Sequence, residues 1–85
     1  MNDKVTEIQI DYLSSIFRKG NRYASYFVED RYGTKVALGE NKNPVHRGST
    51  LFVDEARAVC LAWVNNEPIP KTFHESWETR TELKG

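Results

Sequence analysis

Apolar and polar positions alternate along this chain with two different periods. Over Asp3 to Arg18, Val5, Ile8, Tyr12, Leu13, Ile16 and Phe17 fall at helical spacings and would form one apolar stripe. Asp3 can cap such a helix. Arg18 and Lys19 suit the negative end of its dipole, and Gly20 suits the left-handed position that follows it. The stretch Ile8-Gln9-Ile10-Asp11 also reads as strand alternation, and Ile10 lies off the stripe. The helical spacing predicts a helix over 3–18.

A period of two takes over at Arg22. The run RYASYFVE is rich in aromatic and β-branched residues, DRYG reads as a turn, and TKVALG reads as the returning strand. A β-hairpin is therefore predicted over 22–39. A four-residue turn would set Glu29 opposite Thr34, Phe27 opposite Val36 and Ser25 opposite Leu38, and these would form the core face. Arg22, Ala24, Tyr26 and Val28 would then share the outer face with Lys35, Ala37 and Gly39. The polar segment ENKNPVHRGS over 40–49 reads as a flexible loop, broken by Pro44 and Gly48. Thr50 to Val53 reads as a short third strand. Asp54 would cap a second helix over 54–65, with Ala56, Val59, Cys60, Trp63 and Val64 as its apolar stripe. Residues 66–85 form a tail with Pro68 and Pro70 at its start. The expected fold is α+β: a small antiparallel sheet of two or three strands packed with two helices, in the order α-β-β-(β)-α plus the C-terminal tail, as a single domain over 1–85.

Composition narrows the function classes. Of 85 residues, 39% are hydrophobic and 12% aromatic, which excludes the low-aromatic, high-charge signature of disorder. A domain of this size has little apolar surface to spare for an internal cavity, so an outer binding surface is easier to build. The one cysteine permits no internal disulfide and suits a reducing compartment. No apolar run approaches the roughly 18–20 residues of a membrane span. The N-terminal Met1-Asn2-Asp3-Lys4 lacks the basic and apolar regions of a signal peptide. A cytoplasmic location is expected.

Net charge is zero but unevenly spread. Arg18 to Arg47 holds seven Lys/Arg against three Asp/Glu, a balance of +4, and the remaining segments sum to −4. The hairpin interleaves cations with aromatic rings, a combination that suits phosphates and bases and is also common at protein-binding hot spots. The candidate contact residues are Arg22, Tyr26, Arg31, Tyr32 and Lys35, with Trp77 in the tail as a second anchor.

Catalytic and metal chemistry find no such support. His46, Cys60 and His74 are widely separated and lack metal-ligand spacing. No nucleophile elbow, phosphate loop or dinucleotide fingerprint occurs. Cys60 lies within an apolar helical stripe, where a free thiol acts as a small hydrophobe. No cofactor, metal or catalytic residue is expected.

The run Tyr32-Gly33-Thr34-Lys35-Val36-Ala37-Leu38-Gly39, followed by Phe52-Val53-Asp54-Glu55-Ala56, resembles the three-stranded-sheet-plus-helix DNA readers. These include plant ethylene-response-factor type domains and the arm-binding domains of tyrosine recombinases. The resemblance covers residues 22–65, about half the chain. It implies a sheet laid in the major groove and would implicate Arg22, Tyr26, Lys35 and Arg31 in contacts. The chain departs from these families in its missing Arg- and Trp-rich strands, its ten-residue polar segment and its zero net charge. The first expectation is accordingly a small non-catalytic protein-interaction module, a modulator or inhibitor of a larger machine of the phage or mobile-element type, with a protein partner. The alternative is nucleic-acid binding through the basic, aromatic hairpin.

Overall fold

The computed structural model describes residues 4–29 and 33–76. Six strands run in chain order, each antiparallel to its neighbours: β1 (Thr6–Asp11), β2 (Ser14–Lys19), β3 (Arg22–Glu29), β4 (Gly33–Glu40), β5 (Asn43–Thr50) and β6 (His74–Glu75). One helix, α1 (Val53–Val64), follows β5 and covers one face of the sheet. Among the described residues the protein is thus mostly β, a six-stranded meander with a single helix, where the sequence pattern predicts two or three strands packed with two helices.

The largest correction falls on the helix expected over 3–18, which is the hairpin β1–β2. Tyr12 and Leu13, two members of the supposed stripe, form its turn. The Asp11 carboxylate closes that turn by accepting the Leu13 backbone N–H at 2.7 Å and the Ser14 hydroxyl at 3.2 Å. Such a local side-chain bond competes directly with helix formation. Ile8 then faces Ile16 across the ladder. Gly20, with φ 60°, begins a two-residue turn into β3 and caps no helix. A positive φ at the first turn position alone is the pattern that matches strand twist with glycine there.

The polar loop expected over 40–49 is a second correction, because it is β5. Asn41 and Lys42 carry φ of 54° and 69°, the paired left-handed conformations of a tight hairpin turn. Pro44 lies opposite Gly39, where the β4–β5 register shifts, so its missing N–H falls at an irregular point of the ladder. The short strand expected over 50–53 is displaced accordingly: Thr50 ends β5, and Leu51 and Phe52 lead into α1.

The β3–β4 hairpin forms with a register one residue from expectation. Its ladder begins at Glu29 opposite Gly33, leaving three residues between them, so Tyr26 faces Val36 and Ala24 faces Leu38. One residue of slip transfers a strand's side chains between faces. Ala24 and Tyr26 therefore enter the core, whereas Ser25 and Phe27 lie on the opposite face.

The helix forms over 53–64 against an expected 54–65. Its N-cap is Phe52, where Asp54 is expected. The Glu55 carboxylate accepts the Phe52 backbone N–H at 3.2 Å, and Asp54 and Glu55 suit the positive end of the dipole. At the far end Asn66, φ 59°, donates its N–H to Trp63 O at 3.1 Å. Ala56, Val59, Cys60, Trp63 and Val64 are buried against Phe17, Ala24, Tyr26, Val36 and Leu38. Trp63 Nε1 donates to the Gly39 carbonyl at 2.9 Å, and the Tyr23 ring occupies the space that a Gly39 side chain would need.

Two substitutions test this packing. Trp63→Ala should cost roughly 3–5 kcal/mol in urea denaturation followed by far-UV circular dichroism. At Gly48, an added Cβ would strike the His74 and Glu75 backbone, which cannot swing away as a side-chain tip can. Gly48→Ala should therefore detach β6 and leave the other strands paired. The readout is faster hydrogen exchange at the Ser76 N–H, which now donates to Arg47 O at 2.6 Å.

Candidate interaction face

The sheet has two unlike faces because α1 covers only one. On the open face, strand alternation lines up side chains in rows. One row runs Ile8, Ile16, Ser25, Ala37, Arg47, and the next runs Ser14, Phe27, Lys35, Ser49, His74. Ser25 and Ala37 are too small to fill the centre, so the face is a trough. A groove of about 930 Å³ lies there, bounded by Ile10 and Phe27 at one side and by Arg47 and the β6 strand at the other. Phe27 is 47% exposed, Ile8 49% and Ile10 58%, high values for side chains of this size. The face is thus apolar at Ile8, Ile10, Ile16 and Phe27 and cationic at Arg18 of β2, Lys35 of β4 and Arg47 of β5.

Its charges differ from those under the helix. Glu7 on β1 accepts from both Arg57 guanidinium nitrogens, at 2.6 and 3.1 Å. Arg22 lies 3.9 Å from Glu40, His46 Nδ1 lies 2.7 Å from Glu75, and Lys19 donates to Asn65 at 2.8 Å. On the open face Lys35 reaches Glu29 at 3.5 Å while staying largely exposed, a weak surface pair. Among the described residues, Arg18 and Arg47 have no carboxylate within ion-pair distance.

The structure separates the candidate residues of the sequence pattern. Of the three that fall among the described residues, Arg22, Tyr26 and Lys35, only Lys35 has its side chain on the open face. Arg22 is on the helix side, where its Nη1 donates to Trp63 O at 2.9 Å and its guanidinium sits 4.0 Å from the Trp63 ring centroid. Tyr26 is core, packed beside Phe17 with ring centroids 6.1 Å apart. Both therefore hold the fold together and present little to a partner. Arg31, Tyr32 and Trp77 lie outside the described residues. The open face instead contributes Ile8, Ile16, Phe27, Arg18 and Arg47. Phe27 had a signal in the strand-forming run at Arg22, Ile16 was read into the helical stripe over 3–18, and Arg47 was hidden in a segment that reads as loop.

Among the described residues no three His, Cys, Asp or Glu side chains cluster as metal ligands would, and no helix is long and apolar enough to cross a membrane. No protein-family model matches the chain, and neither the curated proteins nor the solved structures compared with it give a match.

Two ionisable groups give further tests. Burial pushes the Cys60 thiol up to about 12, so it should react with a thiol reagent only as fast as the protein unfolds. The Arg57 hydrogen bonds hold the Glu7 carboxyl below its ordinary value. A depressed carboxyl contributes stability above its unfolded-state value and loses it as pH falls through the folded one. Urea midpoints should therefore drop on acidification in the native protein, and Glu7→Gln should flatten part of that drop.

Proposed function

We propose that this chain is a non-catalytic protein-interaction module whose contact surface is the open face of the sheet. The observation that carries it is a trough of exposed Ile8, Ile10 and Phe27 around half-buried Ile16, rimmed by Arg18, Lys35 and Arg47. Contiguous apolar exposure with a polar rim is the signature of a protein-docking surface. The isoleucines weigh against bases as ligand, since bases stack on flat rings and aliphatic branches offer none. In this role the partner covers the second face of the sheet as α1 covers the first. A module that works by occupying a surface of a larger machine needs nothing more than such a face.

One observation favours a second reading. Tyr23 and Phe27 share the face with three cations, and two of these lack carboxylate partners among the described residues. Single-stranded nucleic acid would find rings and phosphate ligands there.

Photo-crosslinking separates the two. A photoreactive residue at Phe27 should give one discrete protein adduct in the source cells, and the same residue at exposed Ala58 on α1 should give none. Phe27→Ala combined with Ile16→Ser should then lower capture about tenfold or more, as expected of interface anchors, with the unfolding transition preserved. Equal adducts from both positions would remove the open-face reading. A salt-sensitive anisotropy rise with labelled oligo(dT), abolished by Arg47→Glu, would carry the nucleic-acid reading in its place.

A further inference from the structure

The two outer edges of the sheet differ. β6 is two residues long, whereas β1 is six residues, TEIQID, with no Pro, Gly or Lys. Among the described residues nothing pairs with the outer side of β1. Such an edge presents unpaired backbone donors and acceptors. Their positions follow from the turns. Lys19 and Arg22 close a two-residue turn, which makes them a hydrogen-bonding pair. Alternation along β2 then directs the backbone of Ile16 and Arg18 toward Ile8 and Thr6 of β1. The N–H and C=O groups of Glu7 and Gln9 consequently point away from the sheet.

We infer that β1 pairs antiparallel with β1 of a second copy of this chain, with Ile8 on the twofold axis. The side-chain order selects this register. With the axis at Ile8, Glu7 lies opposite the partner's Gln9, and Thr6 lies opposite the partner's Ile10. With the axis at Glu7, two carboxylates would oppose each other. With the axis at Gln9, Glu7 would face the partner's Asp11. The chosen register also uses the outward groups of Glu7 and Gln9 for two pairs of backbone hydrogen bonds, leaving Ile8 and the partner's Ile8 as the close, non-hydrogen-bonded pair. Their side chains meet on the open face, where Ile8 is half-exposed in the single chain.

Charge does not guard this edge as it guards many others. The Glu7 carboxylate is drawn under the sheet and neutralised by Arg57 at 2.6 Å. The helices do not obstruct it either, since α1 packs chiefly over β3 and β4 and reaches β1 through the Arg57 side chain beneath the sheet. The result is a twelve-stranded sheet with both helices on one side and one continuous open face. A contact of one strand is at the small end of interfaces, so the dimer is concentration-dependent. This inference does not rest on the open-face reading. It would stand if that face bound nothing.

Sedimentation velocity of the full chain should show a reversible monomer–dimer exchange from micromolar to millimolar protein. Gln9→Pro removes an outward N–H while sparing the β1–β2 ladder, as proline at a free edge does. It should retain the far-UV spectrum and sediment as monomer throughout. Ile8→Cys should form a disulfide dimer under mild oxidation, because a close cross-strand pair meets disulfide spacing. Thr6→Cys should not, its counterpart lying more than about 13 Å away. Buried Cys60 stays silent in both. A native chain that is monomeric at millimolar concentration, a dimer indifferent to Gln9→Pro, or Thr6→Cys cross-linking as readily as Ile8→Cys would each overturn the inference.

Discussion

Trp63 fastens the one helix to the sheet from several directions at once. Its indole N–H reaches the Gly39 carbonyl at 2.9 Å, the Arg22 guanidinium lies 4.0 Å from its ring centroid, and the His46 ring meets it edge-on at 5.4 Å. Arg22 also binds the Trp63 carbonyl, and Lys19 binds Asn65 just beyond the helix. Both cations therefore sit at the negative end of the α1 dipole. Because His46 also contacts Glu75 at 2.7 Å, the same cluster reaches the short sixth strand. A sheet of six strands with one helix has a thin core, and this cluster places the helix over β3 and β4, where Ala24 and Val36 leave room for its apolar stripe.

That placement makes the two faces of the sheet unlike. Once α1 lies on one face, the polar groups on that side are drawn into pairs: Glu7 with Arg57, Arg22 with Glu40, His46 with Glu75. The other face receives no second layer from the described residues. It keeps Ile8, Ile10 and Phe27 exposed, and among the described residues Arg18 and Arg47 have no carboxylate partner. A sheet ordinarily buries an apolar face against another element. Here half of that requirement is met among the described residues, by α1 on one face.

The helix α1 was legible in the sequence because its stripe of Ala56, Val59, Cys60, Trp63 and Val64 has one period and one explanation. The β3–β4 hairpin was legible for the same reason. Its register was not, since a turn of three or four residues is equally compatible with DRYG, and that choice exchanges Tyr26 for Phe27 on the open face. The candidate site inherited the error: Arg22 and Tyr26 have the residue types of a contact surface and the positions of a scaffold. Type alone cannot tell a cation that greets a ligand from one that stacks on a core tryptophan.

By itself, then, the amino-acid order determined local matters: the apolar helix, the strand-forming run at Arg22, and the absence of spaced metal ligands or nucleophile motifs. Tertiary structure decided the rest. Residues 5–17 satisfy a helical and a strand period together, and the strand prevails because Asp11 closes a turn and β3 offers a ladder to pair with. The polar run from Asn43 to Thr50 has no apolar period at all. It becomes a strand because β4, joined to it by the tight turn at Asn41 and Lys42, supplies hydrogen-bond partners, a backbone interaction that the side-chain pattern of 43–50 does not display.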